Sequence, residues 1–318
     1  MSEIVINAQN LSKNFYNFDS RLPFIKRFLK RNQITIRAVQ DISFTIKRGS
    51  IVGFIGSNGA GKSTTIKMLT GTLYPSSGKL EVNGEIPFKR SINFRKKISI
   101  VVGNKLQLFQ DVSAIDYFQL IGTLYEVEPA ILQERIQELS NLLNVKDQLY
   151  QQVRTLSLGQ KMKMEFIAAS LTSPEILFLD EPTIGLDIQS KKDIRTFLKK
   201  MNEECHTTII LTSHDMDDIS SVCDELIVID KGKIILQESM DVILSKFSDF
   251  KYLKIKTTLD LVPELCSVKG VVVISQTKSE CILKIPRDFV FETLESINKL
   301  VDIEDFEISN LSLEEIIL

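Results

Sequence analysis

From Ile42 to about Gly232, short apolar and β-branched runs alternate with stretches whose apolar positions recur three and four apart. That alternation predicts strands interleaved with helices, and hence a largely parallel α/β sheet. The runs 51–55 (IVGFI), 98–102 (ISIVV), 176–180 (ILFLD), 208–212 (TIILT) and 225–230 (ELIVID) have apolar interiors and read as buried strands. Between 111 and 150 the helical period takes over. This predicts a helical subdomain, over about 105–172, inserted between strands.

From about Phe250 the pattern changes to YLKIK (252–256), a helix near 259–266, VVVIS (271–275), CILKI (281–285), a helix near 287–300 and DFEIS (305–309). This order, β-α-β-β-α-β, is the ferredoxin-like plan. Ser312 followed by Glu315 fits the cap of a last short helix. The expected organisation is a first domain over 1–240 and a small α+β domain over 250–318.

A basic insert over 17–37 interrupts the N-terminal strands. Its part from 21 to 37 holds Arg21, Lys26, Arg27, Lys30, Arg31 and Arg37 and no acid. At 100° per residue Phe24, Ile25, Phe28 and Leu29 share one arc, and Lys26, Arg27, Lys30 and Arg31 the other. Such a helix either lies on anionic lipid of an inner leaflet or packs its two phenylalanines on its own domain.

Composition narrows the field. With 43% hydrophobic and 25% charged residues the chain reads as an ordinary soluble protein. A net charge of −2 gives no global basic field for nucleic acid. No run approaches the ~20 apolar residues of a membrane span, and the N-terminus lacks the pattern of a secretion signal. The expected location is cytoplasmic, or peripheral on the cytoplasmic face of the membrane. The four cysteines stand far apart and there are two histidines, so no metal-ligand cluster is expected. Three of the cysteines sit beside apolar residues and read as small buried hydrophobes.

Residues 56–63, GSNGAGKS, match G-x-x-x-x-G-K-[ST] and follow the strand IVGFI directly. Gly56, Ser57, Asn58, Gly59, Ala60, Gly61, Lys62, Ser63 and Thr64 therefore form a candidate phosphate cradle at a helix N-terminus. Lys62 is expected to reach the β- and γ-phosphates, and the Ser63 hydroxyl to bind Mg²⁺. In ILFLDE (176–181) an apolar strand ends in acids, either as a solvated strand terminus or, beside a P-loop, with Asp180 expected to hold Mg²⁺ directly or through water and Glu181 to polarise an attacking water. LSLGQ (156–160) opens a helical run, where Ser157 serves either as an ordinary N-cap or as an anion contact.

The order of these motifs, followed by Pro182, IGLD (184–187) and His214 after TIILTS, resembles the ATP-binding cassette (ABC) ATPases over roughly residues 3–240. The fold implied is the ABC type of P-loop NTPase: a mixed sheet with a P-loop core plus a helical subdomain. The resemblance implies that Ser157, Gly159 and Gln160 belong to the signature motif, which meets the γ-phosphate held by a partner subunit. It further implies that Gly185, Leu186 and Asp187 form the D-loop and that His214 is the switch histidine. Phe15 is similar to the aromatic that stacks on adenine, with Tyr16 as rival. Asn104 aligns with the usual Q-loop glutamine, with Gln107 as the alternative. Leu158 stands where glycine is usual and Ile184 where serine is usual; a positive φ at Leu158 would strain it.

Residues 101–118, the basic insert and the C-terminal segment ending SLEEIIL resemble the ABC-2 type exporter ATPases. The implied function is ATP hydrolysis by a dimer closed on two ATP molecules, driving a separate membrane permease. A ribosome-acting ABC protein is disfavoured by the single P-loop. A DNA-repair ABC ATPase is excluded by the short gap between P-loop and signature.

Overall fold

The computed structural model describes residues 3–18, 33–213, 215–248, 250–256, 271–277, 280–300 and 305–309. Two compact units divide at the end of a strand, Met1–Glu238 and Ser239–Leu318.

The first unit is built on two sheets. One is antiparallel, in the order β2-β1-β4, from β1 (Ile4–Phe18), β2 (Gln33–Lys47) and β4 (Ser77–Val82). The other has the order β5-β6-β7-β3-β8-β9, from β3 (Ile51–Ile55), β5 (Ile98–Val102), β6 (Ile176–Asp180), β7 (Thr208–Thr212), β8 (Glu225–Asp230) and β9 (Lys233–Ser239). The pairings β5–β6, β6–β7, β7–β3 and β3–β8 are all parallel. β3 and β7 are buried at every position, the sequence signature of strands covered on both faces. Between the two sheets lies a core of Val39, Phe44 and Ile46 against Phe54, Phe178, Ile210 and Ile227, with Phe44 and Phe54 edge-on at 5.4 Å.

Helices α1 (Lys62–Leu69) and α2 (Ile92–Lys97) follow β3 and β4. Between β5 and β6 come α3 (Ala114–Leu124), α4 (Pro129–Leu142) and α5 (Leu158–Ser170). Each begins at a capping residue whose side chain accepts backbone N–H groups: Ser113, Glu128 and Ser157. α6 (Ile188–Cys205) and α7 (Met216–Val222) flank β7.

The basic insert is shorter than the composition suggests. Residues 17, 18 and 33–37 belong to β1 and β2, because the β-branched run Ile34-Thr35-Ile36 pairs with Tyr16 and its neighbours. The amphipathic segment 24–31 lies outside the described residues.

The second unit begins with α8 (Met240–Ser248). Its sheet has the order β11-β12-β10-β13, from β10 (Phe250–Lys256), β11 (Val272–Gln276), β12 (Glu280–Pro286) and β13 (Asp305–Ser309). All three pairings are antiparallel, and this is the ferredoxin-like strand order. Alternate residues of β12 (Cys281, Leu283, Ile285) bury one face with Leu253, Ile255 and Val290 of α9 (Val290–Leu300). The expected helix near 259–266 and the cap at Ser312 and Glu315 lie outside the described residues. Cys223 and Cys281 are buried as expected, Cys205 is exposed, and Cys266 is not described. Among the described residues no helix is long and apolar enough to cross a membrane, and no group of three or more metal-ligating side chains assembles.

Candidate active site

β3 ends at Ile55 and the chain turns through 56–61 into α1. A Cβ at Gly56 would stand 2.0 Å from the Ile229 carbonyl oxygen, and one at Gly61 2.6 Å from that of Ala38. Gly61 also has φ +114 as the N-cap of α1, a conformation that side chains rarely adopt. The loop is thus wedged between β2 and the end of β8, and only glycine lets it lie that close. The first-turn amides of α1 have no partner within their own helix and carry the positive end of its dipole. Lys62 is 5% exposed; its Nζ donates to the carbonyls of Gly56 at 2.6 Å and Ser57 at 3.2 Å. A nearly buried ammonium is therefore folded over the loop, beside those amides.

Parallel pairing of β6 with β7 sets Asp180 opposite Thr212. The Ser63 hydroxyl donates to Asp180 Oδ1 at 2.9 Å, and the Thr212 hydroxyl to the same oxygen at 2.8 Å. Thr212 also receives the Glu181 N–H, at 3.0 Å to both its carbonyl and its hydroxyl oxygen. That grip holds Glu181 at φ +51, a conformation sparsely populated by residues other than glycine. Thr212 is a further candidate site residue that no motif of fixed spacing singles out; the parallel pairing of β6 with β7 brings it to Asp180.

The loop after β5 leans on this pair. Gly103 N–H donates to the Asp180 carbonyl at 2.9 Å, and a Cβ there would meet the Glu181 carbonyl oxygen at 1.8 Å. Asn104 comes next and is exposed. Gln107 turns away, its amide donating to the Ile100 carbonyl at 2.9 Å. The two Q-loop candidates therefore have different surroundings.

Ser157 caps α5 in a reciprocal box: its hydroxyl accepts the Gln160 N–H at 3.2 Å, and Gln160 Oε1 accepts the Ser157 N–H at 2.9 Å. Leu158 is the first helical residue, 45% exposed and outside the positive-φ set, so it carries no backbone strain. Gly159 abuts the start of α6: a Cβ there would be 2.3 Å from Ser190 Oγ and 3.1 Å from Asp187 Oδ2. Asp187 caps α6, accepting from the Ser190 hydroxyl at 2.7 Å and the Ser190 N–H at 2.8 Å; these bonds hold its carboxyl below the usual range. The residues expected to be signature and D-loop thus adjoin one another within a single chain.

Phe15 stands opposite Ile36 in β2, two residues from the Ala38 that leans on Gly61, and is 40% exposed. Tyr16, 62% exposed, points to the other face of the strand. His214 lies outside the described residues. Its neighbour Asp215 caps α7 and pairs with Lys191 of α6.

Residues 39–184 match the sequence profile described as ABC transporter. The ABC transporter ATP-binding protein NatA of Bacillus subtilis is 32% identical over 216 residues, which are 68% of this chain and 87% of NatA.

The chain belongs to the ABC transporter ATP-binding proteins.

As such it is an ATP hydrolase and the nucleotide-binding subunit of a transporter, with the ABC-type P-loop fold and a small C-terminal α+β domain. The linearmycin resistance ATP-binding protein LnrL of B. subtilis is 34% identical over 62% of this chain and 63% of its own length. An ABC transporter ATP-binding protein of Methanocaldococcus jannaschii, MJ1023, is 28% identical over 81% and 92%. Among solved structures, cbiO1 of Clostridium perfringens, part of the complex cbiONQ, has a TM-score of 0.63 at 26% identity over 77% of this chain and 92% of its own. The cassette MJ0796, a dimer bound to ADP and phosphate, shares the fold with a TM-score of 0.62 at 20% identity over 74% and 98%.

Proposed function

We propose that this chain is the ATPase subunit of an ABC-2 type exporter, working as a homodimer or with a paired cassette, closed on two ATP molecules against a separate permease at the cytoplasmic face of the membrane. The observation that carries the catalytic half is the convergence of Ser63, Asp180, Thr212 and Glu181 beneath a P-loop whose lysine is nearly buried. The Ser63 hydroxyl and Asp180 carboxylate, 2.9 Å apart, are hard oxygen donors of the kind Mg²⁺ takes, and they would hold it. When bound, Mg²⁺ would supply charge neutralisation at the phosphates.

The chain's own residues do the rest. The first-turn amides of α1 and Lys62 grip the phosphates. Phe15 offers its ring to adenine. Glu181 takes the proton of a water as that oxygen bonds to the γ-phosphorus and the bond to the β-phosphate oxygen breaks, leaving ADP and phosphate. Asn104, exposed beside Gly103, orients that water, and His214 contacts the γ-phosphate. Gln107 is set aside because its amide is committed to Ile100.

Dimerisation is supported by an exposed apolar rim around the signature surface: Leu158, Ile184 at 40% exposed and Ile188 at 87%. A second copy covers this rim and takes Ser157, Gly159 and Asp187 to its own nucleotide. The resistance function named for LnrL fits outward transport.

The deciding experiment is Glu181→Gln. It should bind ATP, lose about 10²–10⁴-fold in turnover, and elute as a dimer with ATP because the nucleotide persists. Parental turnover would remove Glu181 as the base, and an ATP-loaded monomer would remove the dimer.

A further inference from the structure

Glu165 lies in the middle of α5, is 4% exposed, and has no part in the reaction above. Its Oε1 accepts the Leu108 N–H at 2.8 Å and also the Gln107 N–H. Both donors belong to the loop that leaves β5. Burial pushes the carboxyl's pKa up, and the two amides offset only part of that rise. A buried carboxylate costs several kcal/mol where an apolar side chain would fill the same volume at less cost. Packing alone therefore does not account for it; the two otherwise orphaned amides do.

The other end of the same loop rests on the acid pair, through Gly103 against the Asp180 and Glu181 carbonyls. Asn104 stands between the two anchors. A third contact, the Phe109 ring edge-on to Tyr117 of α3 at 5.3 Å, fixes the loop just beyond. α5, which carries Glu165, is capped by Ser157, eight positions before it, a rise of about 12 Å. A short, fully anchored path thus runs from the signature cap through Glu165 and the loop to Glu181.

We propose that Glu165 is a positioning residue for ATP hydrolysis: by holding the Gln107 and Leu108 amides it sets where Asn104 stands relative to Glu181, and it makes that position follow the signature helix. This rests on the reading of Asp180, Glu181 and Asn104 given above. A displaced loop leaves nucleotide binding at the P-loop untouched and misplaces the attacking water, which costs rate steeply with distance.

The test uses the full chain. Glu165→Met keeps the volume and removes the acceptor. It should lower kcat by about 10- to 100-fold, with KM for ATP and direct ATP affinity at parental values and faster hydrogen exchange at the Gln107 and Leu108 amides. Glu165→Gln keeps an acceptor oxygen in place and should recover kcat to within about threefold of parent, together with amide protection. If Glu165→Met does not fold, Glu165→Asp takes its place: the carboxylate, one methylene short, should lose kcat and amide protection in the same pattern. Parental kcat in whichever of these two variants is measured overturns the role. So does a glutamine variant as slow as the methionine one, or a loss of ATP affinity in step with kcat. Glu181→Gln measured alongside separates the two readings. Parental turnover there overturns the site itself; its loss beside a parental Glu165→Met overturns only the role of Glu165.

Discussion

Lys62 is 5% exposed and gives its ammonium to two P-loop carbonyls, so the charge is already placed and largely desolvated where phosphates are to bind. Replacing it with alanine removes a charge-assisted contact of about 1.5–3 kcal/mol. Lys62→Ala should therefore weaken ATP binding by roughly 10- to 100-fold, read by titration with a fluorescent nucleotide; unchanged affinity would contradict the phosphate cradle. At this scale the sequence was informative wherever a residue type is forced by local geometry. Gly56 and Gly61 admit no side chain, and Ser63 and Asp180 are named by motif. Thr212 and Glu165 were not legible, because each acts on a partner far along the chain and neither belongs to a pattern of fixed spacing.

Between elements, charge pairs tie α6 to its neighbours. Lys163 of α5 meets Asp193 of α6 at 2.5 Å, with side chains only 9% and 10% exposed. Removing one partner strands the other charge, so Lys163→Met should destabilise the first unit by about 2–4 kcal/mol, and Lys163→Met with Asp193→Leu should recover much of it. Denaturant unfolding of the parent and both variants checks this; equal loss in single and double variants would refute the pairing. The caps of α6 and α7 are acid-sensitive. Bonds from Ser190 hold the Asp187 carboxyl below the usual range. At Asp215 burial works against ionisation, but Lys191 and the α7 amides outweigh it and hold that carboxyl low as well. Folded-state values below the unfolded ones mean that this stability is fully present above about pH 4. It is lost as pH falls through the folded values. Amide exchange in the first turns of α6 and α7 should accelerate over that range, and Asp215→Asn should flatten the response at α7.

For the molecule as a whole, the two units carry separate cores, and every candidate site residue belongs to the first. The second unit therefore contributes none of the candidate site residues. The basic segment 24–31, read from the sequence either as a lipid-facing helix or as one packed on its own domain, calls for a test that separates the two. Each basic residue near an anionic surface contributes roughly 1 kcal/mol. Replacing Lys26, Arg27, Lys30 and Arg31 with Gln should leave ATPase activity at the parental rate. It should also reduce sedimentation with anionic vesicles, most at low salt. Equal sedimentation of both forms at low ionic strength would end the membrane role.

The sequence by itself determined the elements and the chemistry that local spacing encodes. The buried strands were legible because strands covered on both faces must be continuously apolar. The P-loop and acid pair were legible because phosphate and metal binding demand fixed residue types at fixed spacing. The strands β10–β13 were legible as apolar runs, whereas their order in the sheet came from the structure. Tertiary structure decided what distance in sequence conceals. It showed that Ala38 and Ile229 wall the P-loop, that Gly103 rests on the carbonyls of Asp180 and Glu181, and that Glu165 bridges α5 to the loop. These are contacts between residues tens to nearly two hundred positions apart, and sheet order and helix packing create them; no local period records them.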